Sequence, residues 1–234
     1  MASVRMKIHV FVDFDGTIAT VDTTDRLLTR FANPAWQEIE KEWRSGAIGS
    51  RECMARQIDL IRATPGQLDA FINQIEIDPA FPAFVRFCHE RGYKITVVSD
   101  GIDRTIERVL TRAGLNLEFR ANHIEPLGSD RWRLSFPFSR ECCPARAGHC
   151  KCGSLGDGRS VVRIAVGDGR SDFCMAQKAD LVLAKGALAE HCGSMGLNHL
   201  TFGNFSEATV LLEEWLKSAN RPRRDTAQLE TEHA

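Results

Sequence analysis

Two carboxylates stand at the end of an apolar run. In HVFVDFDGTIATVDTTD, residues 9–25, Val10, Phe11, Val12 and Phe14, with Ile8 before them, favour a buried strand. Asp13 and Asp15 interrupt and close that run. Such a pair repels itself and loses hydration, a cost that a cation, or a proton shared with a substrate, relieves. Two further polar ends follow apolar segments: Ser99-Asp100-Gly101 after YKITVV, and Gly167-Asp168 through Asp172 after VVRIAV. Asp13, Asp15, Asp168 and Asp172 together offer an oxygen-only donor set, which suits Mg²⁺ when a phosphate completes the shell. Ser99 adds a hydroxyl donor. Gly16 and Gly101 permit close backbone approach, so amides on the first two strand ends, those of Asp100 and Gly101 among them, are expected to cradle anionic oxygens. A metal, a hydroxyl, amide donors and a carboxylate nucleophile suit phosphoryl transfer through an aspartyl-phosphate.

These ends need a scaffold that brings them together. From about Thr24 to Gln74, the segments LLTRF, WQEIEKEW, CMARQIDLI and LDAFINQI carry apolar residues at helical spacing, with Thr64-Pro65 as cap and first turn of the last. Alternation follows. Helices are expected over 79–91, 103–113, 171–178 and 207–217, the first two closed by Gly92 and Gly114. Strands are expected over 93–99, 161–166, 181–184 and 200–202, with a further pair between Glu118 and Phe138 around a Gly-Ser-Asp turn. This order predicts an α/β fold: a Rossmann-like parallel sheet with helices on both faces, and a small helical bundle inserted after the first strand. The expected division is a core of residues 1–20 and 78–217, a helical unit of 21–77, and a polar tail from Ser218 to 234 that is disordered. Ligands of such sheets bind at the carboxyl ends of the strands, which is where the three polar ends fall.

Composition narrows the function classes. Hydrophobic residues make up 43% and charged residues 26% of 234, as in an ordinary globular protein. The net charge of −1, from 30 basic and 31 acidic residues, gives no general attraction to nucleic acid or an anionic membrane. No apolar run approaches the roughly 20 residues of a membrane span. The N-terminal residues carry no signal-peptide pattern, so the cytoplasm is the expected compartment. A reducing compartment disfavours a disulfide framework for the eight cysteines. Cys53, Cys88, Cys174 and Cys192 are scattered, as small core residues are. Cys142, Cys143, Cys150 and Cys152 are clustered, and their spacing leaves zinc binding and a packed or redox-sensitive loop equally open.

DFDGTI, VVSDG, the lysine of HCKC and VGDGRSDF resemble, in order, the four motifs of the haloacid dehalogenase-like superfamily. The resemblance implies that Asp13 is the nucleophile and a metal ligand. It implies that Asp15 is the general acid and then the base, and that Ser99 and Lys151 hold the phosphoryl oxygens. Asp168 and Asp172 complete a Mg²⁺ site, in which Asp15 is also counted. Members that cleave carbon–halogen or carbon–phosphorus bonds generally lack an aspartate at the position of Asp15, and pumps carry threonine there, so the phosphatase branch is favoured. The helical insert resembles the cap of the phosphoserine phosphatase-like subgroup. ECCP, GHCKC, GDGRSDFC and SRECM are similar to the methionine-salvage phosphatases that act on an enol 1-phosphate. The cysteine-bracketed lysine and the GDGRSDFC pattern are similar also to the phosphoethanolamine/phosphocholine phosphatases. Asp22 stands where phosphoserine phosphatases usually have glutamate, which disfavours phosphoserine.

The expected partner is a small phosphorylated metabolite, touched from the cap by Asp22, Arg51 and Arg56, with Thr23 beside them. Each of these also has a plain reading as helix surface or cap. Lys178 and Lys185 are rivals to Lys151. His149, Arg146 and Arg170 lie beside the motifs and read equally as solvated residues. Two other readings compete with hydrolysis: transfer of the phosphoryl group to another acceptor, and a non-catalytic phosphoryl- or metal-binding module.

Overall fold

The computed structural model describes residues 7–156 and 160–219. Its centre is β1 (Lys7–Val12), in which Val10 and Val12 pack into the core of one sheet face and Phe11 into that of the other. Burial on both faces follows from position. The sheet has seven strands in the order β4-β3-β2-β1-β5-β6-β7, where β2 is Lys94–Ile102, β3 Glu118–Pro126, β4 Trp132–Ser135, β5 Val161–Gly167, β6 Leu181–Ala184 and β7 His199–Thr201. All neighbours pair in parallel except the β3/β4 hairpin. This is the expected α/β sheet.

Helices α1 (Thr23–Phe31), α2 (Trp36–Arg44), α3 (Ser50–Ile58) and α4 (Pro65–Ile72) follow β1 without an intervening strand. Thr64 caps α4 through the Gln67 amide, and Gln67 returns a side-chain contact to the Thr64 amide. Helices α5 (Phe81–Glu90), α6 (Asp103–Arg112) and α10 (Phe205–Ala219) cover one sheet face through residues such as Phe84, Ile106 and Phe205. The other face is covered by α8 (Phe173–Ala176) and α9 (Gly186–Met195), through Met175, Leu188 and Cys192, beside the short α7 (Lys151–Ser154). No described helix is long and apolar enough to cross a membrane.

The register of β1 sets the site. Val12 lies opposite Val97 and Val166, and the Asp13 amide continues the ladder by donating to the Val166 carbonyl at 2.8 Å. The next residues therefore leave the sheet at a common edge.

The elements depart from the sequence expectation in four places. β2 continues past Ser99 to Ile102, because the chain bulges between Val98 and Ile102 and then re-pairs Ile102 with Asn122. The expected helix over 171–178 is a tight turn, Arg170–Asp172, followed by the single-turn α8. Asp172 Oδ2 accepts the Asp168 and Gly169 amides and so draws the chain into that turn. α9 was not expected, since GALAEHCGSM buries only Leu188 and Cys192 and carries little periodic signal. The closing helix runs through Ser218 to Ala219, two residues into the expected tail; the rest of that tail lies outside the described residues.

Candidate active site

The chain turns sharply at the end of β1. Gly16 adopts φ +69°, and a Cβ there would collide with the Asp168 carboxylate, so only glycine lets the two strand ends meet. Thr17 Oγ1 donates to Asp168 Oδ1 at 3.0 Å and ties the turn to the end of β5. Gly167 makes the same allowance for Asp172, whose carboxylate fills the space of a Cβ.

Lys151 is the charged centre. Its side chain is 1% exposed, and Nζ donates to Asp13 Oδ1 at 2.6 Å, Asp172 Oδ1 at 2.7 Å and Ser171 Oγ at 3.0 Å. Burial works against its charge, but the two carboxylates outweigh burial and raise its pKa. The rival lysines sit elsewhere: Lys178 is exposed, and Lys185 Nζ reaches the Thr17 carbonyl at 3.4 Å.

Asp13, Asp168 and Asp172 each present an oxygen within 4.8 Å of the others, the one such convergence of potential metal ligands among the described residues. Burial first, and then the charge of Asp172, push Asp13 well above the usual carboxylate range and raise Asp168 as well. Crowded, desolvated oxygens of this kind fit a hard divalent cation. Asp15 does not belong to that group. Its Oδ1 accepts the Thr23 amide at 2.8 Å and the Thr23 hydroxyl at 2.5 Å, which hold the side chain toward α1. A Cβ on Gly101 would collide with its other oxygen, so that oxygen faces the end of β2. The Asp15 side chain, expected among the metal ligands, thus stands apart from the three converging carboxylates, with Thr23 on one of its oxygens. Burial, with the charge of Asp22 behind it, pushes Asp15 up to about 7.

On β2, Ser99 is 1% exposed and its hydroxyl accepts the Gly101 amide at 2.9 Å. The Asp100 side chain is engaged within the protein. Its carboxylate is taken up by the Ser50 hydroxyl at 2.6 Å, the His149 amide at 2.8 Å and Asn122 Nδ2 at 3.1 Å, which leaves its backbone alone to face an anion.

Asp13, Asp15, Ser99, Gly101 and Asp168 line one cavity of about 280 Å³. The opposite wall belongs to α1–α3. Asp22 lines it as expected and caps α1 through the Asp25 amide. Arg51 and Arg56 do not line it. Arg56 forms a two-pronged pair with Glu42 at 2.7 and 2.9 Å, bracing α3 against α2, and Arg51 is exposed and bonds the Arg146 carbonyl only through its amide. In their place stand Glu40, Trp43 and Arg44. Spaced i, i+3 and i+4, these form one stripe of α2, a signal hidden within a charged helix. Arg170 joins the core side, donating to the Arg44 carbonyl at 3.2 Å.

The cysteines regroup. Cys142 is exposed, whereas Cys174, expected to be isolated, interacts with Cys152, whose sulfur is 3.4 Å from that of Cys150. Among the described residues no three thiols converge at ligand spacing, so the zinc alternative has no preformed site. Burial raises the pKa of Cys150, Cys152 and Cys174, as in packed thiols.

Known proteins are similar to this chain in sequence and fold. The 2-hydroxy-3-keto-5-methylthiopentenyl-1-phosphate phosphatase of Brevibacillus brevis is 29% identical over 214 residues, covering 89% of this chain and 96% of its own. Its namesake from Geobacillus kaustophilus is 29% identical over 219 residues, covering 88% and 96%. A solved phosphoserine phosphatase carrying a phospho-aspartyl intermediate analogue shares the fold, with a TM-score of 0.65 at 21% identity, covering 91% of this chain and 98% of that one. The model of the haloacid dehalogenase-like hydrolases matches residues 10–177, from β1 through α8, and the chain belongs to that family.

Proposed function

We propose that this chain hydrolyses a small phosphomonoester through a phosphorylated Asp13, with residues 21–77 acting as a cap over a core of 1–20 and 78–217. The observation that carries the reading is the placement of Asp13. It stands at the end of the central strand, 2.6 Å from a buried lysine, and lines the same cavity as Asp15, whose side chain Thr23 holds. A carboxylate of Asp13 attacks phosphorus, and the bond to the leaving oxygen breaks. Asp15, protonated in part near neutrality because burial raises it to about 7, donates its proton to that oxygen. Asp15 then takes a proton from water, which attacks the acyl-phosphate and frees Asp13 and inorganic phosphate. Lys151, the Ser99 hydroxyl and the amides around Gly101 bind the phosphoryl oxygens. Asp13, Asp168 and Asp172 would hold Mg²⁺, which when bound supplies positive charge against the phosphoryl oxygens.

The leading substrate is the 2-hydroxy-3-keto-5-methylthiopentenyl 1-phosphate named for the relatives. Met54 and Trp43 on the cap wall offer an apolar surface for a thioether tail. A second reading has one observation of its own. Asp22, Asp25 and Glu40 crowd that wall around Arg44, and burial with the charges of Asp22 and Glu40 pushes Asp25 up to about 6. Such a wall favours a cationic tail, as in phosphoethanolamine. A panel of phosphorylated metabolites, assayed for phosphate release with Mg²⁺ and with EDTA, tests both. The enol phosphate is expected to give the highest kcat/KM; a preference for phosphoethanolamine installs the second reading, and no metal-dependent release from any substrate overturns the phosphatase.

A further inference from the structure

Between β4 and α7 the chain runs from Phe136 to Cys150 as a loop, and Lys151 follows directly. One side of that loop grips the helical segment. The Arg51 amide at the start of α3 donates to the Arg146 carbonyl at 3.2 Å, and Arg146 Nη2 donates to the Gly46 carbonyl at 3.2 Å. Gly49 packs so closely on Arg146 that a Cβ there would collide with it, and Arg146 itself adopts φ +47°, the one non-glycine among the described residues in the left-handed region.

The other side of the loop hangs from β2 through two bonds of His149. Its amide donates to Asp100 Oδ1 at 2.8 Å, and Nδ1–H donates to the Ser99 carbonyl at 2.9 Å, the carbonyl being an acceptor only. His149 is 1% exposed, and a Cβ on the preceding Gly148 would press on Asp100 Oδ1 and the Phe136 ring, so the fit is tight. Asp100 Oδ2 accepts the hydroxyl of Ser50, the first residue of α3, at 2.6 Å. Asn122 Nδ2 completes the arrangement from β3, bonding the Asp100 carbonyl at 2.6 Å and Oδ1 at 3.1 Å. One carboxylate thus receives the helical segment on one oxygen and the lysine loop on the other. Two residues beyond His149, Lys151 meets Asp13.

We infer that Asp100 is a positioning residue: through Ser50 on one oxygen and His149 on the other, it makes the seating of α3 and the placement of Lys151 a single event. A substrate that draws the cap down would thereby also set the phosphate-binding lysine, and an unseated cap would leave the lysine loop loosened. Asp100 must keep a hydrogen bond on both sides. An asparagine keeps Oδ1 for His149 and turns its amide toward Ser50, whose hydroxyl accepts as well as donates. Alanine removes both acceptors.

The kinetic arm of the test rests on the phosphatase reading; the exchange arm does not. In hydrogen-exchange mass spectrometry, Ser50→Ala in the full chain is expected to raise exchange in residues 143–151 as well as in α2 and α3, with the rest of the sheet unchanged. Ser50→Thr is expected to restore protection. Inorganic phosphate, measured by calorimetry in Mg²⁺ buffer, is expected to bind Ser50→Ala about tenfold more weakly, as the loss of about one positioned hydrogen bond allows. In turnover, Ser50→Ala is expected to lower kcat as well as raise KM, because a displaced lysine is missed in the transition state, and Asp100→Asn, which keeps both bonds, is expected to lose less than Asp100→Ala. Exchange that rises in 36–58 alone, with phosphate affinity unchanged, overturns the coupling. If the exchange and phosphate results hold while no substrate is turned over, the coupling stands and the phosphatase reading falls.

Discussion

Two ion pairs of nearly equal length stand one in the core and one on the helical segment. On the core side Lys151 meets Asp13 at 2.6 Å with side chains 1% and 5% exposed; on the helical side Arg56 meets Glu42 at 2.7 Å with 40% and 42% exposed. Distance does not separate them; burial does. In the core no water screens the lysine, so its three partners fix one geometry, and removing one leaves an unpaired buried charge. On the helices both groups remain hydrated, and the pair braces α2 against α3 without committing the cavity to a ligand. On the proposed reading, the chemistry belongs where the sheet dictates position, and selectivity where side chains are free to be exchanged.

The strongest way to break this contrast is at its buried end. Asp13→Asn keeps the shape of the strand end and removes the nucleophile, so kcat is expected to fall by at least about 10⁴-fold, with phosphoryl transfer to the enzyme lost. Trapping of acid-quenched phosphoenzyme from labelled substrate reads this directly. Phosphoenzyme retained in Asp13→Asn, with the label on another residue, would remove Asp13 from the reaction.

Asp15 follows, with a loss of roughly 10²- to 10⁴-fold for Asp15→Asn. Its raised pKa gives the direction of the pH profile. Donation to the leaving group needs the protonated acid, so phosphoryl transfer to Asp13 is expected to decline as pH rises through about 7. Substrates whose leaving groups depart without a proton, such as p-nitrophenyl phosphate, should lose less in Asp15→Asn than alkyl phosphates do. Equal losses would show that Asp15 acts by holding Thr23 and the turn.

The same contrast explains what could be read in advance. Asp13, Ser99 and Asp168 were legible because an apolar strand that ends in a polar residue marks its own carboxyl end, and parallel strands place those ends together. Lys151 was legible only through its resemblance to a motif, since one lysine looks like another until burial is known. The Asp100 side chain was not legible, because a carboxylate beside a serine at a strand end gives no sign that Ser50, Asn122 and His149 will occupy it. The cap wall was least legible. Arg51 and Arg56 are no more polar than Glu40 and Arg44, and which stripe of α2 or α3 faces the cavity depends on helix packing that short amphipathic helices do not encode locally. Four apolar-spaced helices were visible in the sequence; their rotation about their own axes was not.

His149 sharpens the comparison in a smaller effect, on stability. Burial pushes its imidazole down to about 4, while the Ser99 carbonyl and the Ser154 hydroxyl hold the neutral ring. The unfolded chain takes up this proton near 6.5 and the folded chain only near 4, so the contribution is complete above about 6.5 and is lost as pH falls toward 4. Its size is roughly 3 kcal/mol at most. Denaturant melts of the wild type and of His149→Gln are expected to converge as pH falls through this window. His123, which is exposed and raised by its bond to Asp103, has no comparable buried ring to charge. Parallel pH dependence in wild type and variant would locate the acid sensitivity elsewhere, the crowded aspartates being the next group to examine.

The smallest effect is expected on the helical wall, and it decides between substrates. Glu40 receives Arg44 Nε at 2.9 Å on one oxygen and Gln57 Nε2 at 3.1 Å on the other. Glu40→Gln preserves size and one acceptor, and makes the wall one charge less negative. A thioether tail has no charge to feel this, so kcat/KM for the methylthio enol phosphate should stay within about threefold, whereas a cationic tail loses an attraction of about 1 kcal/mol or more at this partly solvated site, close to tenfold. The expected outcome is that phosphoethanolamine turnover falls by about that factor while the enol phosphate is spared. A tenfold loss on the enol phosphate would mean that Glu40 touches its polar carbons rather than setting the field of the wall, and would move one selectivity contact from shape to hydrogen bonding. The core pair offers no such choice: a change to its charge is expected to stop the reaction on every substrate alike, so a difference between substrates must come from the helical wall.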